Sequence, residues 1–284
     1  MPHVRIITDV TANLEPEMIE RYDITVLPVD IQFGQETLTI HSAKDRTQLI
    51  QRMAEETARR TGATIPARRF QEAYGRLQRE TGEVLVLVTS RALSGAFDQA
   101  RIAAQEFLGR CRIIVMDTMT ASWGLGLLVE AAARSARGGA PLDEVVRCVR
   151  GILPHIYLTF LVERLDYLEV GGRLGSAQSL LGHMLHIRGL LLMEDGDVVP
   201  LEKVRTREEA VEKLSDFVAE FAHIERAVIL KSQVDSEIYG LIDELREEMH
   251  QAFPGLEFPS LEYDAILAAH LGPEALGIMV YEGE

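Results

Sequence analysis

Short apolar runs alternate with amphipathic segments along the first half of the chain. Residues 4–8 (VRIIT), 84–88 (VLVLV) and 112–118 (RIIVMDT) are rich in branched aliphatic side chains, which predicts buried strands. Between and after these runs the apolar residues recur at helical spacing, which predicts helices over about 16–21, 45–60, 67–80, 96–108, 120–139 and 141–154. This alternation favours an α/β fold with a parallel sheet covered by helices.

Turn residues divide the remaining segments. Residues 24–38 are expected to form a strand and a hairpin with Gly34 at the turn, whereas Gly62 and Pro66 interrupt the chain between two helices. The second half is expected to contain a second hairpin about Asp195 and Gly196. The pattern there also predicts strands at 156–162 and 226–233 and helices at 207–222 and 235–251. From residue 256 onward it predicts strands around a Gly-Pro turn.

Composition narrows the classes of function. The chain has 284 residues, 47% of them hydrophobic, and a formal net charge of −15, so we expect a globular protein of two domains that does not favour nucleic acid or anionic membranes. Neither a secretory leader nor a membrane span is evident, and a cytoplasmic location is expected. Cys111 and Cys148 are interpreted as structural thiols, and the eight histidines show no metal-binding spacing, so no metal is expected.

The segment TSRALSG, which follows the strand at 84–88, is the first candidate for chemistry. Ser94 is a possible nucleophile of a hydrolase or transferase, but its context is L-S-G rather than GxSxG. A phosphate cradle is also disfavoured, because the segment has one glycine and no lysine. A third interpretation is that Ser94 caps the following helix, and the local sequence alone leaves these alternatives open.

Seven blocks in order along the chain carry a resemblance: IITDVTANL, LPVDIQFG, SRALSGAFDQA, DTMTASWGLGLLV, LDYLEVGGRLGSAQSLLG, GDVVPLEKVRT and AHLGPEALG. Together they span residues 6 to 277 and resemble the DegV family of bacterial fatty-acid-binding proteins. The resemblance implies an N-terminal domain with a parallel sheet, over about 1–153, and a C-terminal α/β domain with a mixed sheet, over 154–284. Parts of 25–45 are expected to pack with the second domain.

The resemblance also implies a function. Such proteins hold one long-chain fatty acid between the domains and present its carboxylate to a separate kinase, which makes an acyl phosphate. On this interpretation the chain is a carrier and not an enzyme, and it needs no cofactor besides the bound fatty acid. The alternative from another class is the hydrolase or transferase that uses Ser94.

Candidate residues for the fatty-acid carboxylate follow from the matching motifs. Ser94 and Gly95 match the family's L-S-G, and His270 matches the histidine before its Gly-Pro turn. The family's threonine in T-S-Q-P is less certain here: Pro66 is kept, alignment by that proline pairs the threonine with Ala63, and a one-residue gap restores Thr64. We therefore predict Thr64 as the third donor, with Thr61 nearby.

Further positions depend on the same resemblance. Arg173 and Arg205 match basic family positions and are expected on the face that meets the kinase, unless they pair with neighbouring acids. The apolar residues 184–185 and 190–193 line the tail tunnel or belong to the ordinary core. Glu274 replaces the last glycine of the family's Gly-Pro-Gly, which could strain the turn or place a carboxylate near the pocket mouth.

Overall fold

The strands of the chain form three sheets. The computed structural model describes residues 4–56, 61–163, 166–170, 188–232 and 238–283. In chain order the strands are β1 Arg5–Asp9, β2 Thr25–Leu27, β3 Val29–Phe33, β4 Glu36–Ile40, β5 Thr61–Thr64, β6 Glu83–Val88, β7 Arg112–Asp117, β8 Ile156–Val162, β9 Arg188–Glu194, β10 Asp197–Val204, β11 Arg226–Lys231, β12 Ser260–Glu262 and β13 Leu276–Tyr281.

Helices connect and cover these strands. They are α1 Pro16–Tyr22, α2 Ala43–Glu55, α3 Ala67–Leu77, α4 Ala96–Ala104, α5 Ser122–Arg137, α6 Leu142–Ile152, α7 Asp166–Val170, α8 Arg207–Ala219, α9 Ile238–Ala252 and α10 Ala265–Leu271. Within the described ranges, no helix combines the length and apolar character needed to cross a membrane.

The predicted parallel sheet is confirmed. Its strand order is β2-β1-β6-β7, and all three pairings are parallel. Residues 84–88 of β6 are completely buried, because helices cover both faces of the sheet. α3 packs against α4, and α5 packs against α6. The parallel sheet, formed by the apolar runs of the sequence, is therefore the middle layer between two layers of helices.

The mixed sheet contains six strands in the order β10-β9-β8-β13-β11-β12. Only the described pairing of β11 with β12 is parallel within it. Alternate residues divide between two cores: Leu191 of β9 shares the core of the parallel sheet, whereas its neighbour Leu190 packs under α8 and α9. The domain boundary near Pro154 stays a prediction.

The third sheet has the order β4-β3-β5 and is antiparallel throughout. Its hairpin between β3 and β4 turns at Gly34, as predicted, with φ of 65°. β5 was not predicted, because the sequence TGAT has neither an apolar run nor alternation. Its strand conformation comes from pairing with β3, in which Asp30 lies opposite Thr64.

The prediction of only strands in the closing segment was wrong, because residues 265–271 form α10. Every residue of this helix is buried, so it lacks the polar face by which an amphipathic helix is recognised in a sequence. Asp264 caps its first turn by accepting hydrogen bonds from the N–H groups of Ile266 (2.6 Å) and Leu267 (3.1 Å). α10 contacts α2, β3 and β5, so the end of the chain lies against its first hundred residues.

Candidate ligand-binding site

A turn rich in buried hydroxyl groups connects β6 to α4. Thr89, Ser90 and Ser94 are all at most 4% exposed. The Ser90 carbonyl accepts hydrogen bonds from the N–H groups of Leu93 (2.9 Å) and Ser94 (3.0 Å), which closes the chain into a compact turn at the carboxyl end of the strand. Ligands of open parallel sheets bind at this end of the strands.

Ser94 does act as a capping residue. Its Oγ accepts a hydrogen bond of 3.2 Å from the N–H of Ala96 in the first turn of α4. A hydroxyl group has one proton to donate in addition to its acceptor sites, so this contact leaves the donor function of Ser94 available to a ligand. The capping and ligand-binding interpretations are therefore compatible.

Three hydrogen bonds join the segments that carry Ser94, Thr64 and His270. The N–H of Gly95 donates to the Ala63 carbonyl (2.9 Å), and Nε2 of His270 lies 2.7 Å from the Leu93 carbonyl oxygen. The Thr61 hydroxyl donates to the Ala269 carbonyl (2.5 Å). Each segment is bonded to the other two, so the three residues predicted from distant parts of the sequence come together.

Thr64 and Thr61 have different surroundings. The Thr61 hydroxyl is bonded to α10, whereas Thr64 lies against Gly95. A Cβ atom at Gly95 would lie 3.0 Å from Thr64 Oγ1, which is tighter than an ordinary contact, so glycine at this position allows β5 and the turn to approach. Of the two threonines, Thr64 is the one that lies against Gly95, the residue after Ser94.

The contact of His270 fixes one of its protons. A carbonyl oxygen only accepts hydrogen bonds, so Nε2 of His270 carries the proton that it donates to the Leu93 carbonyl. A second donation, through Nδ1, requires the imidazolium form. His270 is 3% exposed, and it holds in place the residue that precedes Ser94.

The hairpin of the mixed sheet also contacts the Ser94 turn, a contact that the sequence did not indicate. Ser90 Oγ donates a hydrogen bond of 2.6 Å to the carbonyl of Gly196, which lies at the tip between β9 and β10. Gly196 has a φ of +85°, and a Cβ atom there would lie 2.5 Å from Ser90 Oγ and 3.0 Å from Cα of Met119. The glycine signals a turn in the sequence, but its partner is visible only in three dimensions.

Some of the remaining predicted positions lie in the described part of the chain, and others lie outside it. Arg205 is exposed, and within the described part of the chain its guanidinium makes no ion pair; its backbone N–H donates to Glu209 (2.7 Å). Arg173 and residues 184–185 lie outside the described residues. Glu274 is half-buried and has no left-handed backbone conformation, so the strain considered for this turn is absent.

Comparison with known proteins agrees with this geometry. The model of the DegV family, described as "Uncharacterised protein, DegV family", matches residues 3–283. The chain belongs to the DegV family. A DegV domain-containing protein of Streptomyces coelicolor is 34% identical over 98% of each chain, and one of Deinococcus radiodurans is 32% identical over 97% of each.

A fatty-acid-binding DegV family protein from Thermus thermophilus, whose structure has been solved, is 27% identical in sequence to this chain. The two structures superpose with a TM-score of 0.83, and the match covers 99% of this chain and the whole of the Thermus thermophilus chain. The resemblance to the DegV family and the expected fold class are thus confirmed.

Proposed function

We propose that the chain binds one long-chain fatty acid and holds its carboxylate at Ser94, Thr64 and His270, next to Gly95. The hydrogen-bonded triangle of Leu93–Gly95, Thr61–Thr64 and Ala269–His270 carries this proposal. It collects short hydroxyl side chains and a histidine at the carboxyl end of a parallel sheet. The fatty-acid binding of the Thermus thermophilus relative supports the choice of ligand.

The acyl tail supplies the affinity in this proposal. Burial of apolar surface contributes about 0.8 kcal/mol per methylene group, so a chain of about 16 carbons gains on the order of 10 kcal/mol before ordering costs. Leu191 and Met193 face the core shared with the parallel sheet and are candidates for contact with the tail. Leu190 packs under α8 and α9 instead, so we assign it to the ordinary core.

The carboxylate contributes orientation. Dehydration of a charged carboxylate is costly, and hydrogen bonds from hydroxyl groups offset that cost with little net gain. Ser94 donates its hydroxyl proton while its oxygen accepts from Ala96, so its direction is fixed before the ligand arrives. Thr64 supplies a second hydroxyl at the edge of the third sheet.

The oriented carboxylate is then presented to a separate kinase. One carboxylate oxygen attacks the γ-phosphorus of ATP and forms the new P–O bond, while the bond between the γ-phosphorus and the β,γ-bridging oxygen breaks and ADP leaves with its electron pair. The kinase supplies this chemistry, and the chain itself is not an enzyme. The exposed Arg205 and the family-matched Arg173 belong to the face that meets the kinase.

Native mass spectrometry tests the binding step. The full chain, purified gently from bacteria, is expected to carry one additional mass of a C16 to C18 fatty acid, as is Ser135→Ala, a matched serine variant on α5. Repeated absence of that mass would overturn the proposal. Release of product from ester substrates by the protein alone, abolished in Ser94→Ala, would establish the hydrolase instead.

A second measurement tests the orientation step. Acyl phosphate formed with ATP and a fatty-acid kinase is trapped with hydroxylamine, and the fatty acid retained by each variant is measured in parallel. We expect Ser94→Ala and Thr64→Val to lower the rate of acyl-phosphate formation more than fatty-acid retention, because the tail dominates affinity. An equal loss of both would contradict the division between tail and carboxylate.

A further inference from the structure

Ser90 joins the turn that carries Ser94 to two other loops of the protein. Its N–H donates to the Thr120 carbonyl in the loop after β7 (2.9 Å), and its Oγ donates to the Gly196 carbonyl at the tip between β9 and β10 (2.6 Å). Its own carbonyl accepts from the N–H groups of Leu93 and Ser94. Ser90 is 1% exposed, so these contacts rather than water fix its position.

The hairpin tip holds the Gly196 carbonyl in a defined place. Asp195 and Gly196 have φ values of 50° and 85°, and left-handed backbone at both central residues is what a two-residue type I′ turn requires. On either side of this turn Glu194 pairs with Asp197. The position of the tip is therefore set by the ladder of β9 and β10.

The tip also lies in close contact with the loop after β7. A Cβ atom at Gly196 would lie 3.0 Å from Cα of Met119 as well as 2.5 Å from Ser90 Oγ, so the backbone of the turn itself reaches these loops. The N–H groups of Met119 (3.0 Å) and Arg91 (3.2 Å) both donate to Asp117 Oδ1. The contact thus joins backbone segments that are already held by their own hydrogen bonds, and close-packed segments of this kind have little freedom to shift.

The same hairpin carries residues assigned to the acyl tail. Leu191 and Met193 lie on β9, the strand that leads into the turn, and pack in the core shared with the parallel sheet. In the proposed function they are candidates for contact with the tail, whereas Ser94 donates to the carboxylate. Ser90 therefore connects the segment assigned to the tail with the segment assigned to the carboxylate.

We propose that Ser90 is a positioning residue of the carboxylate site. Its hydrogen bond to Gly196 sets the place of Ser94 relative to β9, so that a fatty acid seated by its tail has its carboxylate at the Ser94 hydroxyl. This inference rests on the proposed function. A hydroxyl group has one proton, and Ser90 gives that proton to the Gly196 carbonyl, so Ser90 acts through Ser94 and is not a further donor to the ligand.

Loss of this hydrogen bond affects the two ends of the ligand differently. In Ser90→Ala the turn is no longer tied to the hairpin tip, so the carboxylate loses its fixed orientation, whereas the apolar contacts of the tail remain. Misplacement of a reacting group by about 1 Å costs up to about a hundredfold in rate. We expect Ser90→Ala to lower acyl-phosphate formation at saturating kinase at least about fivefold. Fatty-acid retention should stay within about twofold of that of the unmodified chain, because the tail dominates affinity.

Isotope-labelled palmitate tests the positioning role without the kinase. The full chain is loaded with palmitate that carries carbon-13 either at the carboxyl carbon or at the terminal methyl carbon, and the bound ligand is observed by NMR. We expect Ser90→Ala to shift or broaden the carboxyl resonance and to leave the methyl resonance unchanged. Ser135→Ala, the matched serine variant on α5, should change neither resonance.

Gly196→Ala perturbs the same contact from the other side, because its Cβ would collide with Ser90 Oγ. It should also change the carboxyl resonance and not the methyl resonance. Its effect should be smaller in the Ser90→Ala background, where that oxygen is absent, since residues in direct contact are coupled. An unchanged carboxyl resonance in both single variants, or equal changes at the carboxyl and methyl carbons, would overturn the inference.

Ser94→Ala separates the failure of this inference from the failure of the proposed function. If Ser94→Ala changes the carboxyl resonance and neither Ser90→Ala nor Gly196→Ala does, the positioning role of Ser90 is wrong and the carboxylate site stands. If the unmodified chain binds no palmitate, the proposed function is wrong and the role of Ser90 is refuted with it.

Discussion

Asp264 is expected to make the stability of the protein depend on pH. Burial raises the pKa of its carboxyl group from 3.8 to about 7, and the charge of Asp9 adds to the effect. Arg46 opposes the shift, and Glu15 and His41 are further titratable groups that line one cavity together with Asp9, Arg46 and Asp264. The folded protein therefore binds a proton at Asp264 under conditions in which the unfolded chain has lost it.

The sign and size of the effect follow from this difference. Between about pH 4 and pH 7 the folded state holds more protons than the unfolded state, so the free energy of unfolding falls as the pH rises through this window. A shift from 3.8 to about 7 corresponds to about 4 kcal/mol at pH values above 7. Asp264→Asn removes the titration and keeps the acceptor that caps α10.

Urea unfolding at a series of pH values from about 5 to 8 measures this effect. Trp123 fluorescence and far-ultraviolet circular dichroism should give coincident transitions, which justifies a two-state free energy. We expect the advantage of Asp264→Asn over the unmodified chain to grow with pH up to about 7 and to level off above it, whereas Asp216→Asn, on the exposed face of α8, should show no such trend. A constant difference between Asp264→Asn and the unmodified chain at all pH values would refute the reasoning.

Two further substitutions test contacts of the fold, one between the hairpin tip and the Ser94 turn and one between α7 and α2. Gly196→Ala should lower the free energy of unfolding by about 1–3 kcal/mol, since its Cβ would collide with Ser90 Oγ and its φ is positive; unchanged stability in urea would mean that the hairpin tip does not lie against Ser90. Tyr167→Phe removes the hydrogen bond of 2.7 Å to the Met53 carbonyl and should cost about 1 kcal/mol by the same measurement. A gain in stability with phenylalanine would contradict that contact.

The elements that the sequence predicts well are those whose signals are local. The apolar run at 84–88 needs only its own composition to indicate a strand buried on both faces, and it forms the centre of the parallel sheet. Gly34 and the pair Asp195 and Gly196 carry the left-handed backbone of the two hairpin turns, with φ values of 65°, 50° and 85°. In each case the residues that form the structure are neighbours in the chain.

The elements that it does not predict depend on distant partners. β5 is a strand because it pairs with β3, and α10 is buried on all sides between segments from both halves of the chain. These two elements carry Thr64 and His270. The site residues could therefore be named from motif resemblance, but the reason why they meet lies in non-local pairing that no local pattern contains.

The burial of Asp9 and Asp264 is a further feature that the sequence does not predict. Asp9 and Asp264 stand at opposite ends of the chain, and in the sequence each has the position of an ordinary capping residue. Capping explains one oxygen of each side chain. Only the fold shows that both side chains are 1% exposed and that burial raises the pKa of each carboxyl group.

The direction of the hydrogen bonds around Ser94 favours a carrier over a hydrolase. A nucleophilic serine needs a neighbouring base that takes its proton, and the described hydrogen bonds of Ser94 Oγ include none to an imidazole nitrogen: Nε2 of His270 is directed to the Leu93 carbonyl instead. Ser94 Oγ meanwhile accepts from an amide, which stabilises electron density on the oxygen and leaves its proton as the part offered to a ligand. A site that offers protons is suited to hold an anion in a fixed orientation, and the reaction of that anion then depends on the group that a second protein brings to it.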